Sequence, residues 1–121
     1  MPYDVNDTKS FNAGFEPIYR AAYFSVKAMN GKILVNDPKN RKMQAQMDKK
    51  LYGKVLGDRS KLEIEFVEDQ PGVTTLKILA YPLNAIGQKL MFGARKGVVE
   101  TVLAAFYAEI EKRLETQQAE A

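Results

Sequence analysis

Residues 61–81, KLEIEFVEDQPGVTTLKILAY, constrain the fold of this chain more than any other stretch. Leu62, Ile64 and Phe66 alternate with Lys61, Glu63 and Glu65, the two-residue period of a strand with one buried face. Leu76, Ile78 and Ala80 repeat the pattern against Thr75, Lys77, Leu79 and Tyr81. Between them, Pro71 presets φ for the first central position of a turn and Gly72 tolerates a positive φ at the second. The reading is an antiparallel hairpin. Inward residues must pair with inward residues, so the loop holds an odd number of residues. A loop of Gln70, Pro71 and Gly72 meets that condition. It sets Phe66 opposite Leu76, Ile64 opposite Ile78, and Glu65 opposite Lys77 as a cross-strand charge pair.

The apolar face of such a hairpin needs a cover, and two helices are predicted to supply it. In residues 14–29, Phe15, Ile18, Ala22, Val26 and Met29 share one helical face. Asn12 or Ser10 is placed to cap it, Pro17 suits the first turn, and Gly31 suits the left-handed position beyond its end. Tyr19 and Tyr23 flank the stripe and read as core or rim residues. In residues 97–116 the stripe is Val99, Val102, Leu103, Phe106, Ile110 and Leu114, with Glu109 and Arg113 as an i,i+4 pair.

Between helix and hairpin, residues 32–36 read as a strand and Asp37-Pro38-Lys39-Asn40 as a turn. A second strand starts at Lys42 with Met43, Ala45 and Met47 inward. It continues as one long strand bent at Gly53 or as two short ones. Residues 1–12 are expected to be loose or to form a short edge segment, and 117–121 to fray. The expected fold is a single α+β domain over residues 1–121. It is a two-layer sandwich in which an antiparallel meander of three to five strands carries N- and C-terminal helices on one face. Phe15, Ile18, Val26, Ile64, Phe66, Leu76, Ile78, Val102, Leu103, Phe106 and Ile110 form the expected core.

Composition narrows the chemistry. No apolar run approaches the ~20 residues of a membrane helix, and the start MPYDVNDTKS has no apolar h-region. There is no Cys, hence no thiol nucleophile, disulfide or thiolate metal site, and no His, the commonest general base and zinc ligand. Glu63 and Glu65 share a strand face beside Lys77, which marks a solvated surface. Asp37, Asp48 and Asp58 lack the spacing of a calcium loop. Without a nucleophile–base pair the expectation is no catalytic residue, no metal and no cofactor.

Net charge is +3 but unevenly spread. Residues 31–61 hold nine basic side chains (Lys32, Lys39, Arg41, Lys42, Lys49, Lys50, Lys54, Arg59, Lys61) against Asp37, Asp48 and Asp58. Solvated strand and loop lysines that guard edge strands explain this block. A nucleic-acid footprint is the sharper alternative, although Tyr52 is the only aromatic in it.

Residues 82–97, PLNAIGQKLMFGARKG, are unusually apolar for a connection. Leu83, Ile86 and Leu90 could form one face of a short helix. Monomers rarely expose such area, so the expectation is that Leu83, Ile86, Leu90, Met91 and Phe92 fold over an open end of the core. The alternative is an exposed patch for a partner or lipid surface. Lys89, Arg95 and Lys96 would then complement an anion beside Met91 and Phe92. Arg95 and Lys96 also precede the second helix, where positive charge opposes the helix dipole and free N–H groups attract anions.

The run FNAGFEPIYRAA (residues 11–22), preceded by Tyr3-Asp4-Val5 and answered by Ile110-Glu111-Lys112-Arg113-Leu114 near the other end, resembles small bacterial envelope lipoproteins of unknown function. The resemblance implies a helix, a strand meander and a C-terminal helix, and no catalytic residue. It implies a periplasmic or lipid-anchored address, although that family's lipobox cysteine is not in this sequence. Two functions are therefore expected in turn. One is a non-enzymatic binding or structural module of the envelope, with a protein or envelope partner. The alternative is a cytoplasmic module that contacts nucleic acid through residues 31–61.

Overall fold

The computed structural model describes residues 3–120, with side chains through residue 116. Five strands form one antiparallel sheet: β1 (Val5–Phe11), β2 (Lys32–Asp37), β3 (Lys42–Met47), β6 (Arg59–Gln70) and β7 (Val73–Leu83). Their order is β1-β7-β6-β3-β2. A separate two-stranded ribbon, β4 (Lys50–Leu51) and β5 (Lys54–Val55), is inserted between β3 and β6. Helices α1 (Phe15–Ala28) and α2 (Val98–Glu120) pack side by side on one face of the sheet. This is the expected two-layer α+β sandwich, with five strands.

The hairpin register is the one that alternation dictates. Phe66 pairs with Leu76, Ile64 with Ile78 and Glu65 with Lys77. The loop differs. The register shifts by one between Glu68 and Gln70, and Gln70 pairs with Val73. A bulge at Asp69 thus absorbs the odd residue, leaving a two-residue turn of Pro71 and Gly72, with Gly72 at φ 81°. The Asp69 carboxylate accepts a 2.8 Å bond from Thr75 Oγ1, which holds the bulge to the facing strand.

All eleven expected core residues are buried. Ile18, Val26, Leu62, Phe66, Leu76, Phe106 and Ile110 are almost wholly inaccessible, and Met43 and Met47 join them from β3. Phe15, Tyr19 and Phe66 form an aromatic cluster with ring centroids 4.9–5.9 Å apart. The hydroxyl of buried Tyr19 is satisfied by donating to Asn36 Oδ1 at 2.6 Å. Arg41 lies over the Phe15 ring at 4.2 Å.

Of the two readings for residues 1–12, the edge segment holds: Val5–Phe11 form an edge strand along β7, where Ser10 bonds to Thr75. Ser10 and Asn12 therefore do not cap α1. Gly14 occupies that position without a side-chain bond. At the other end, Asn30 rather than Gly31 takes the left-handed conformation, φ 59°. Asn30 N–H then reaches Lys27 O at 3.1 Å and Gly31 N–H reaches Val26 O at 2.8 Å, the paired bonds of a Schellman motif. In residues 48–57 the bent strand does not form and the alternative, two short strands, does, outside the main sheet. Tyr52 and Gly53 both take positive φ, 52° and 82°, and close the tight β4–β5 ribbon. The backbone of α2 stays helical through Glu120, past the expected end near Thr116, and Ala121 lies outside the described residues.

Candidate functional site

The site is the end of the sheet where β7 finishes, β6 begins and α2 starts. β7 runs two residues beyond Tyr81, because Leu83 still pairs with Arg59 and is buried. The expected short helix over Leu83, Ile86 and Leu90 does not form. Asn84 instead organises a tight turn, its Oδ1 accepting from Ile86 N–H at 3.0 Å and Gln88 N–H at 2.9 Å. The chain folds back antiparallel on β7. Leu83 bridges Lys89, and Leu90 N–H donates to Pro82 O at 2.9 Å. The turn is thus rigidly bonded at its base while its apolar tip points away.

That tip overturns the expectation of a folded-over cap. Leu83 is buried and Leu90 half-buried, but Ile86 is 77% exposed, Met91 40% and Phe92 86%. The turn that carries Ile86 is closed without it: Ile86 N–H is bonded to Asn84 Oδ1 and Leu90 N–H to Pro82 O. Burying Ile86 is therefore not needed to hold the turn.

The basic residues divide. Lys89, expected to meet an anion, is engaged: its Nζ lies 3.2 Å from the Asp4 carboxylate and 4.3 Å above the Tyr81 ring. Arg95 is also held. Buried Asp58 accepts its backbone N–H at 2.7 Å and its guanidinium at 3.4 Å. The Arg95 side chain crosses Gly57, where a Cβ would fall 2.3 Å from Arg95 Cδ. Gly57 has φ 102°, a left-handed conformation that favours glycine there. Lys96 is exposed, with no ion-pair partner among the described residues.

A cleft of about 350 Å³ opens at the start of α2, lined by Asp4, Val5, Pro82, Arg95, Lys96 and Glu100 among others. Asp4 and Glu100 share it with the two basic side chains, so it is not a purely positive pocket. Sequence reasoning missed Asp4 and Asp58. Ile86 was named for the exposed patch, and its place just before Gly87 in a turn leaves it no strand or helix partner to bury it.

No family model and no curated protein matches the sequence. Solved structures match the fold. One is the adenylate sensor from AMP-activated protein kinase, solved in complex with 5-aminoimidazole-4-carboxamide 1-β-D-ribofuranotide; TM-score 0.58, 15% identity, covering 84% of this chain and 93% of that one. Another is the protein TTHA0849 from Thermus thermophilus; TM-score 0.51, 10% identity, covering 94% and 98%. At these identities the likeness is one of fold.

The 31–61 basic block is scattered by the fold. Lys42 sits on the outer sheet face between Glu65 of β6 and Asp37 of β2 in register, and Glu65 in turn faces Lys77. Signs alternate across four strands. Arg41 pairs with Glu68 at 3.7 Å. Lys50 and Lys54 lie on the β4–β5 ribbon. The outer face forms a broad trough of about 580 Å³ lined by Thr8, Lys42, Gln44, Glu63, Glu65 and Lys77 among others, mixed in charge. Among the described residues no group of three acidic side chains could hold a metal ion, and no helix is long and apolar enough to cross a membrane.

Proposed function

We propose that this chain is a non-enzymatic binding module of the bacterial envelope, and that its working surface is the connection over residues 84–97. The observation that carries the reading is the exposure of Ile86, Met91 and Phe92 on a connection whose turn, residues 84–90, is pinned at its base. The closed turn keeps Ile86 presented, so little ordering entropy is lost there on binding. The resemblance of residues 11–22 to the envelope lipoproteins supports the address.

The test is a double substitution, Met91→Ser with Phe92→Ser. The melting temperature should stay nearly unchanged while self-association or partner binding weakens. A large fall in melting temperature would show that the segment is core. The competing reading, a cytoplasmic module contacting nucleic acid through residues 31–61, requires salt-dependent binding of DNA or RNA. The mixed signs around Lys42 and the engaged Arg41 weigh against it.

A further inference from the structure

We infer that the occupant of this surface is an anionic lipid bilayer. This rests on the reading of residues 84–97 as a binding surface, and it adds the chemistry of what binds. Three apolar side chains are exposed within seven residues, Ile86 on the hydrogen-bonded turn and Met91 and Phe92 just past its base.

Basic residues surround them. Arg59 pairs with Leu83 at the base of the connection, and Leu83 bridges Lys89. Arg95 and Lys96 follow Phe92 after Gly93 and Ala94. Lys49 O accepts from Leu56 and Gly57, and Gly57 lies beneath the Arg95 side chain, so Lys49 belongs to the same end. Lys49 and Lys96 are exposed, and neither they nor Arg59 have an ion-pair partner among the described residues. Two of the acids at this end are neutralised, Asp4 by Lys89 and Asp58 by Arg95. Glu100, exposed in the first turn of α2, and Asp48, which accepts Lys49 N–H at 2.7 Å, are acids at this end with no ion-pair partner among the described residues.

An apolar tip with a basic rim matches the layering of an anionic membrane surface. Apolar and aromatic groups enter the headgroup boundary while lysines stay at the phosphates. A protein partner fits less well. Lysine is depleted from protein interfaces, and here Lys49, Lys89 and Lys96 lie at the same end as the exposed apolar residues.

The experiment is vesicle flotation of the full chain. The lipids are phosphatidylcholine alone and an equal mixture of phosphatidylcholine and phosphatidylglycerol. The wild type should float with the mixed vesicles and not with phosphatidylcholine alone. Met91→Ser with Phe92→Ser, and separately Lys49→Glu with Lys96→Glu, should each weaken binding by roughly tenfold or more. Gln44→Glu on the outer sheet face should leave it unchanged. Phe92→Trp should show a blue-shifted emission only with the mixed vesicles. Flotation that survives both double substitutions would overturn the inference, as would no flotation at all. Self-association that is lost with Met91→Ser and Phe92→Ser, without vesicle binding, would overturn the lipid and keep the binding surface. Salt-dependent nucleic-acid binding without vesicle binding would overturn both.

Discussion

Gly31 is held in place by its neighbours. A Cβ there would sit 2.8 Å from Val26 Cγ1, 2.9 Å from Met47 Sδ and 3.0 Å from Val26 O. Two of those three atoms belong to fully buried side chains with no room to give. Gly31→Ala should therefore destabilise the fold by about 1–3 kcal/mol in denaturant unfolding. Asn-Gly in the sequence announces a helix end, but either residue could have taken the left-handed position. Only the approach of Met47 on β3 decides it, and that is a tertiary fact. Tyr52 offers a second residue-scale test. Its hydroxyl donates to Glu109 Oε2 at 2.6 Å. Burial, then that bond, raises its pKa from 10.0 to about 12. The folded value is the higher one, so the stability this group contributes is present below pH 10 and is lost as pH rises through about 12. Tyr81 and Tyr107 shift in the same direction, through burial and then bonds to Glu63 and Asp7. Alkaline unfolding followed by circular dichroism should accordingly be shallower in Tyr52→Phe than in the wild type between those pH values.

Among the elements, β6 and β7 were the most legible, because alternation over two strands fixes the register whatever the loop does. The bulge at Asp69 was not legible. It changes the loop count without moving any inward residue, so the pattern is blind to it. The β4–β5 ribbon was hidden for a different reason. Asp48-Lys49-Lys50 breaks the alternation, and Leu51 is the single ribbon residue that reaches the core. Phe106→Ala on α2 should cost about 3–5 kcal/mol, since the ring is fully buried between helix and sheet. The start of α2 gives a sharper contrast. Asp58→Ala removes the acceptor of Arg95 N–H and should cost about 1–3 kcal/mol. Arg95→Ala removes a side chain that is 63% exposed and should cost less than about 1 kcal/mol. Equal losses would mean that the guanidinium, and not the backbone bond, holds the end of the connection. Both are read by chemical denaturation.

At the scale of the whole molecule, the layers and the core followed from periodicity, while the surface did not. Apolar residues in a connection carry no period, so Leu83, Ile86, Leu90, Met91 and Phe92 looked alike in the sequence. The fold separates them, because β7 continues to Leu83 and the Asn84 turn then reverses the chain. The pairing of β1 with β7 has one more consequence. Val5 lies against Ala80 and Phe11 against Thr74, so the first strand of the chain has its partner in the last. During synthesis at the ribosome β1 must wait unpaired until β7 has emerged. Contacts this distant in sequence close late and slow the search for the native state. The interior of the sheet can assemble from adjacent strands, and β1, made before them, is zipped in last.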